Sequence, residues 1–305
     1  MRLAVAALIL AVAIVAGCGE GSPSGDGHVA VATTAQAGDL LSRVAGDRLD
    51  VVTIVGAGAD PHDYEPRPSD VAALAEAALI VKSGGELDEW LDGLIEEAGG
   101  RAKVVALIDS VRTIGTDPPD PHWWQDPRNA VLAAREIERA LSRADPAGRA
   151  AYARNADAYV RELRRLDREI AACLDSVPTA QRKLVTTHDS FGYYAARYGL
   201  ERVGAVLPSL STQAQPSAED VDDLVARVRA ENVGAIFPES NVDQRLERAV
   251  AREAGAELGG ALWADSFGPK GSGADTYLSA MAANTAALVA GLSGGTSSCR
   301  PKAGR

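Results

Sequence analysis

One long stretch without a strand pattern interrupts an otherwise regular alternation of apolar runs and amphipathic segments. Residues 129–174 contain no strand candidate. Within them apolar residues recur at helical spacing: Tyr152, Tyr159, Leu163, Leu166, Ile170 and Leu174. Asp145 followed by Pro146 is typical of a helix start. The pattern predicts a linking helix within residues 145–176, about 45 Å long, and a helix of that length must cross from one globular lobe to another.

Four short apolar runs on each side of this helix are typical of buried strands. They are residues 28–34, 50–55, 78–83 and 103–108 on one side, and 183–188, 203–208, 233–239 and 257–264 on the other. Amphipathic segments between them predict helices, and such alternation favours parallel sheets covered on both faces. The predicted fold is α/β, with two βα lobes, each holding a four-stranded, mainly parallel sheet, bridged by one long rigid helix. We place the lobes at residues 28–144 and 177–293, followed by a polar tail at 294–305.

Three of the four histidines follow predicted strands at their carboxyl ends. His62 and His122 stand in two copies of Asp-Pro-His, and His188 ends a strand of the second lobe. Open parallel α/β sheets bind ligands at the carboxyl ends of their strands, and Asp265 follows the last strand. Three imidazoles and one carboxylate suit zinc, and they also suit manganese. On spacing alone, a shared metal site and unrelated surface histidines remain equally open.

The neighbours of these candidates each have more than one interpretation. Asp60 and Asp120 precede a histidine by two residues, and either orient the loop or support the ligand itself. Trp123 and Trp124 either wall the site against water or simply pack at a surface. Glu239, at the end of a predicted strand, is a partner of a ligand, an alternative ligand, or an ordinary loop carboxylate.

The N-terminus predicts export. An apolar run over residues 3–16 is too short for a comfortable membrane span and has the length of a signal-peptide core. The Val-Ala-Gly-Cys that follows resembles a bacterial lipobox, which predicts removal of residues 1–17 and attachment of lipid to Cys18 at the outer face of the cell membrane. Gly/Ser-rich residues 18–27 are predicted to form a flexible tether. His28, beside that tether, is not expected to bind metal.

Charge and cysteine content narrow the function classes. The formal net charge of -11 argues against nucleic-acid partners. With Cys18 assigned to lipid, Cys173 and Cys299 remain. An exported compartment permits a disulfide, but the sequence leaves open whether these two cysteines pair.

Several sequence blocks together resemble the metal-binding solute receptors of bacterial ABC importers, the cluster A-I type that serves zinc and manganese uptake. The blocks are GADPHDYEPRPSDVAALAEAALIVKSG, DPHWWQDPRNA, DPAGRAAYARNADAYVRELRRLD, VTTHDSFGYYAARYGL and ADSFGPKGSGADTYLSAMAANTAAL. The resemblance implies two lobes bridged by a rigid helix, with the ion held between them by His62, His122, His188 and Asp265. It also implies an ABC permease as partner and no enzymatic activity.

Two departures from that family bear on the choice of metal. Its zinc receptors often carry a His-rich acidic loop before the second ligand, whereas residues 111–120 here are short and contain no histidine. Some of its manganese receptors have glutamate at the third ligand position, where this chain has His188. A third imidazole favours zinc, so we expect a monomeric zinc receptor, with manganese as the alternative ion.

A zinc-dependent hydrolase is the alternative from another class, since catalytic zinc uses three protein ligands and an open position. The chain has no His-Glu-x-x-His segment, and Asp265 as a true ligand would close the site. For a receptor, metal binding is expected to weaken as the pH falls through about 6.5, because each imidazole must lose its proton.

Overall fold

The computed structural model describes residues 29–99, 102–115 and 117–302. The predictions about the signal peptide, Cys18, the tether and His28 lie outside these residues. None of the helices within the three ranges combines the length and the apolar content needed to cross a bilayer.

The first lobe contains the predicted four-stranded parallel sheet. Its strands are β1 (Val29–Ala32), β2 (Asp50–Thr53), β3 (Ala77–Lys82) and β4 (Lys103–Ala106), in the order β2-β1-β3-β4. Its helices are α1 (Ala35–Ala45), α2 (Pro68–Glu76), α3 (Trp90–Ala98) and α4 (Pro127–Ala144). Successive residues of a strand face opposite sides of its sheet. Ala30 and Val81 therefore pack with α1 and α4, while Val31 and Ile80 pack with α2 and α3.

The second lobe is also βα in character, but its strands are less regular than predicted. They are β5 (Lys183–His188), β6 (Glu201–Leu207), β7 (Ala235–Ile236) and β8 (Glu257–Leu258). The strands form two parallel pairs, β5 with β6 and β7 with β8, and a parallel bridge between Thr186 and Phe237 joins the pairs. The last two strands are short because Pro238 has no N–H to donate and Gly259 favours irregular backbone. The helices are α6 (Gly192–Tyr198), α7 (Ala218–Ala230), α8 (Arg245–Ala254) and α9 (Tyr277–Leu292).

The predicted linking helix is present as α5 (Arg149–Leu174), which has 26 residues and is about 39 Å long. It begins later than expected because Pro146–Gly148 forms a 3-10 turn, whose Gly148 N–H donates to the Asp145 carboxylate at 3.1 Å. All six residues of the predicted apolar stripe are buried. The helix packs against α1 and α4 of the first lobe and against α6 and α9 of the second. It therefore holds both lobes along its length.

The C-terminal segment is attached to this helix rather than being a free polar tail. Cys173, near the end of α5, forms a disulfide with Cys299, with 5.3 Å between their Cα atoms. Pro301 is buried, and the Lys302 N–H donates to the Glu169 carboxylate at 2.5 Å. The Arg300 guanidinium donates to the Gly273 carbonyl at 2.7 Å. The pairing that the sequence left open is thus present, and the tail is fixed as far as residue 302.

We expect Cys299→Ser to lower the free energy of unfolding by about 2–5 kcal/mol. The disulfide closes a loop with a sequence separation of 126 residues, and closing a long loop restricts the unfolded chain strongly. Urea unfolding of the metal-free protein measures the loss. Reduction of the wild type should reproduce it, and reduction of the variant should add nothing. A variant as stable as the oxidised wild type would show that the bond contributes nothing.

Candidate metal site

Four side chains converge between the two lobes: His62, His122, His188 and Asp265. One potential ligand atom of each lies within 4.8 Å of all the others. The His188 Nε2 atom is 3.0 Å from Asp265 Oδ2 and 3.2 Å from His122 Nε2. Asp265 Oδ2 is 3.4 Å from His62 Nε2, and Asp265 Oδ1 is 3.5 Å from His122 Nε2. The structure therefore brings together all four predicted ligand residues.

Parallel topology explains this convergence. His62 lies in a 3-10 turn (Pro61–Asp63) after β2, and His122 follows β4. His188 is the last residue of β5, and Asp265 follows β8. The carboxyl edges of the two lobes face each other across a cleft, which is where open parallel sheets bind ligands.

The four groups are enclosed and poorly satisfied by hydrogen bonds. The side chains of His122, His188 and Asp265 have no exposed surface, whereas that of His62 is 8% exposed. Among the described residues, neither Asp265 carboxylate oxygen nor His62 Nε2 has a hydrogen-bond partner. Buried polar atoms without partners are uncommon and costly. Three imidazole nitrogens and a carboxylate in this arrangement can coordinate a cation.

Charges inside the enclosed site shift the pKa values of His188 and Asp265. Burial opposes protonation of His188, but the Asp265 and Glu239 carboxylates outweigh it and raise the pKa of His188 well above 6.5. Burial also favours a neutral Asp265, but the His188 and His122 rings hold the pKa of that carboxyl well below 3.8. A proton therefore competes with a metal ion for His188 in particular, and a bound ion must displace it.

Two of the imidazoles are backed by carboxylates. Asp120 Oδ1 lies 2.8 Å from His122 Nδ1, and Glu239 Oε1 lies 2.5 Å from His188 Nδ1. Such a contact keeps the proton on Nδ1, so that the lone pair on Nε2 faces the cleft. Glu239 is fully buried and meets the ring nitrogen of His188 that does not approach Asp265. Its position is that of a partner to His188 rather than of a fifth ligand.

The aspartates of the two Asp-Pro-His segments accept the same kind of backbone hydrogen bond but differ in their other contacts. Asp60 Oδ1 and Asp120 Oδ1 each accept the N–H of the histidine two residues later, both at 2.9 Å. Asp120 contacts the His122 ring as well. Asp60 instead turns its second oxygen to the Thr212 hydroxyl of the second lobe, at 2.7 Å. The aspartate thus shapes the turn in both copies and orients the ring in the second.

Of the two tryptophans, Trp124 rather than Trp123 lies against a candidate ligand. The Trp124 ring meets that of His122 edge-on, with centroids 5.5 Å apart. Trp123 packs against Trp124 and donates its indole N–H to the Ser83 carbonyl at 3.2 Å. The Trp124 indole and the Gln125 amide both donate to the Ala264 carbonyl, at 3.0 and 3.1 Å. They fix the backbone directly before Asp265.

Sequence reasoning did not find these contacts between the lobes. The missed residues are Gln125 and Thr212, together with Ser266, whose hydroxyl accepts the Gly58 N–H at 2.6 Å. Each partner stands 139 to 208 residues away along the chain, and no local spacing carries that information. Gln125 and Ser266 lie close to His122 and Asp265 in the sequence, which was the one available signal, and Thr212 has no candidate site residue near it.

Comparison with known proteins places this arrangement in a family. The sequence model of the family described as "Zinc-uptake complex component A periplasmic" matches residues 30–291. The chain belongs to this family. The match takes in both lobes, the linking helix and all four converging side chains.

Similar proteins carry names consistent with that family. The manganese-binding lipoprotein MntA of Halalkalibacterium halodurans is 32% identical over 94% of this chain and 97% of MntA. The metal ABC transporter substrate-binding lipoprotein FimA of Streptococcus parasanguinis is 30% identical over 96% of this chain and 100% of FimA. The structure of the periplasmic zinc-binding protein TroA of Treponema pallidum superposes with a TM-score of 0.81, at 26% identity, covering 88% of this chain and 99% of TroA. The family member described here is accordingly a metal-binding component of an ABC importer and not an enzyme.

Proposed function

We propose that this protein captures one divalent transition metal ion, zinc in preference to manganese, through His62, His122, His188 and Asp265. The observation that carries the proposal is the enclosed cluster of three imidazoles and one carboxylate between the lobes. The names of relatives point both ways, since MntA is named as manganese-binding and TroA is described as zinc-binding. The choice of ion therefore rests on the chemistry and spacing of the site.

The short separations in the site suit a single small ion. Ligand atoms on a tetrahedral zinc ion, with bonds of about 2.0–2.1 Å, lie roughly 3.3–3.4 Å apart. Four separations in the cluster run from 3.0 to 3.5 Å, those to Asp265 ending on both of its oxygens, and the four ligand atoms as a set lie within 4.8 Å of one another. Manganese is better served by carboxylate, carbonyl and water oxygens, whereas imidazole suits zinc. Three nitrogens and a single carboxylate thus favour zinc.

Delivery of the ion completes the proposed function. We propose that Cys18 carries lipid, which holds the receptor at the outer face of the membrane, and the naming of relatives as lipoproteins supports this. The loaded receptor then docks as a monomer on an ABC permease, which takes the ion. Four protein ligands leave no open position for an activated water, so a hydrolytic role has no support in this site.

Competition between the two ions tests the choice of metal. Metal-free protein offered equal concentrations of zinc and manganese is expected to bind one zinc per chain and to release prebound manganese when zinc is added, as the general affinity order predicts. Mass spectrometry of the intact complex measures which ion is bound. His188→Glu is the matched variant, because it replaces the third imidazole with a carboxylate. Its ratio of zinc affinity to manganese affinity should be smaller than that of the wild type. Wild-type protein that retains manganese against equimolar zinc would reverse the assignment.

A further inference from the structure

The three imidazoles of the site are not held equally. His122 and His188 are fully buried, and a carboxylate holds Nδ1 of each ring at 2.8 and 2.5 Å. His62 is held through its backbone, where its N–H donates to Asp60, and its side chain retains 8% exposure. His122 and His188 are therefore each fixed by a carboxylate, whereas His62 is the most exposed and the least restrained of the three.

A cavity opens from the surface onto His62. It has a volume of about 250 Å³ and lies between the His62 turn and a loop of the second lobe. Its lining includes Pro61, His62, Glu86, Trp90, Ser209 and Ser211. Of the four proposed ligands, His62 lines this cavity and the other three are fully buried, so an ion that leaves the site through the cavity passes His62.

The loop on the far side of the cavity, residues 208–216, is hydrogen-bonded to the first lobe through Thr212. The Thr212 hydroxyl donates to Asp60 Oδ2 at 2.7 Å, while Asp60 Oδ1 accepts the His62 N–H at 2.9 Å. In the part of the chain that the structure describes, no other hydrogen bond connects this loop to the first lobe. One carboxylate thus links the position of His62 to the closure of the two lobes.

We propose that Thr212 is a positioning residue, which holds the His62 turn in its metal-binding place when the lobes are closed and thereby controls release of the ion through the adjoining cavity. The inference rests on the proposed function, since it concerns the same site. His62 is the first ligand to detach, and its detachment requires the bond between Thr212 and Asp60 to break. Closure of the two lobes then also brings His62 into its place in the metal site.

Zinc release kinetics test this role. Zinc-loaded protein is mixed with an excess of a chromogenic chelator, and the dissociation rate is measured by stopped flow. Thr212→Val keeps the shape of the side chain but removes the hydroxyl, and should release zinc about tenfold faster, the effect of losing one hydrogen bond to a charged group. Thr212→Ser, which keeps the hydroxyl, should release zinc at the wild-type rate. Thr296→Val should do so too, because the Thr296 hydroxyl donates to the Ser293 carbonyl at 2.7 Å and does not line the cavity.

A double-mutant cycle separates positioning of His62 from general loosening of the loop. In a His62→Ala background, Thr212→Val should no longer change the release rate, because the group on which Thr212 acts is gone. An unchanged rate in Thr212→Val alone, or an equal acceleration in both backgrounds, overturns this inference and leaves the proposed function intact. Wild-type protein that binds no zinc overturns both.

Discussion

Replacing Asp265 with asparagine is expected to lower zinc affinity roughly a thousandfold, or about 4 kcal/mol, the cost of removing one charge from a buried charge pair. The substitution preserves the shape of the side chain and removes only its charge. Both oxygens of Asp265 are buried without hydrogen-bond partners among the described residues, and three imidazoles surround them. The carboxylate is therefore the one anionic ligand available to offset the charge of the ion. Competition with a chelator of known affinity measures the loss.

Asp189→Asn is the matched control for this experiment. It makes the same chemical change directly after His188, but the Asp189 carboxylate is partly exposed and pairs with Arg202 at 2.8 Å, outside the site. Its zinc affinity should equal that of the wild type. A retained affinity in Asp265→Asn would remove Asp265 from the ligand set and reopen the question of what closes the site.

Glu239→Gln is expected to weaken zinc binding by about 10- to 100-fold, the usual cost of losing a group that orients a metal-ligating histidine. Glu239 is fully buried and touches the Nδ1 atom of His188. A glutamine no longer supplies the negative charge that makes this imidazole a stronger ligand. Zinc titration of the variant measures the loss. Glu247→Gln is the control matched for burial, since Glu247 accepts from the Thr187 hydroxyl at 2.7 Å, and its effect should be much smaller.

The pH profile distinguishes an electrostatic role of Glu239 from a packing role. The Asp265 and Glu239 charges raise the pKa of His188 well above 6.5, so zinc must displace a proton from His188 below that raised pKa. Zinc affinity should therefore fall as the pH decreases through the raised pKa of His188. This fall occurs at a higher pH than it would for an imidazole with an unperturbed pKa. Without the Glu239 charge the pKa of His188 drops, and the fall in affinity should begin at a lower pH. An affinity loss with an unshifted pH profile would assign Glu239 a packing role only.

Much of the architecture follows from patterns that act over short stretches of chain. The apolar stripe on α5 predicted a linking helix because its members recur every one or two helical turns, which places them on one face, and all six are buried. The short apolar runs of the first lobe likewise predicted its four strands. In the second lobe, apolar runs through Pro238 and Gly259 predicted longer strands than the structure forms. There, local backbone chemistry prevailed over hydrophobicity, since proline cannot donate to a ladder.

The residues that converge between the lobes were predictable, but the contacts that support them were not. The carboxyl ends of strands made His62, His122 and His188 candidates, and the family resemblance selected them together with Asp265. The contacts of their neighbours could not be predicted, because they join residues that are far apart in the sequence. The bond of Thr212 to Asp60 joins residues 152 apart, and that of Trp124 to Ala264 joins residues 140 apart. The disulfide between Cys173 and Cys299 was likewise open, because spacing alone does not specify pairing.

Anomalous diffraction from crystals of the protein purified without added metal tests the central claim most directly. Data collected on both sides of the zinc absorption edge locate the ion and identify it. The expected result is one zinc peak per chain, at about 2.0–2.2 Å from the Nε2 atoms of His62, His122 and His188 and from an Asp265 oxygen. A peak away from these four residues, or one that shows the edge of manganese instead of zinc, would contradict the account.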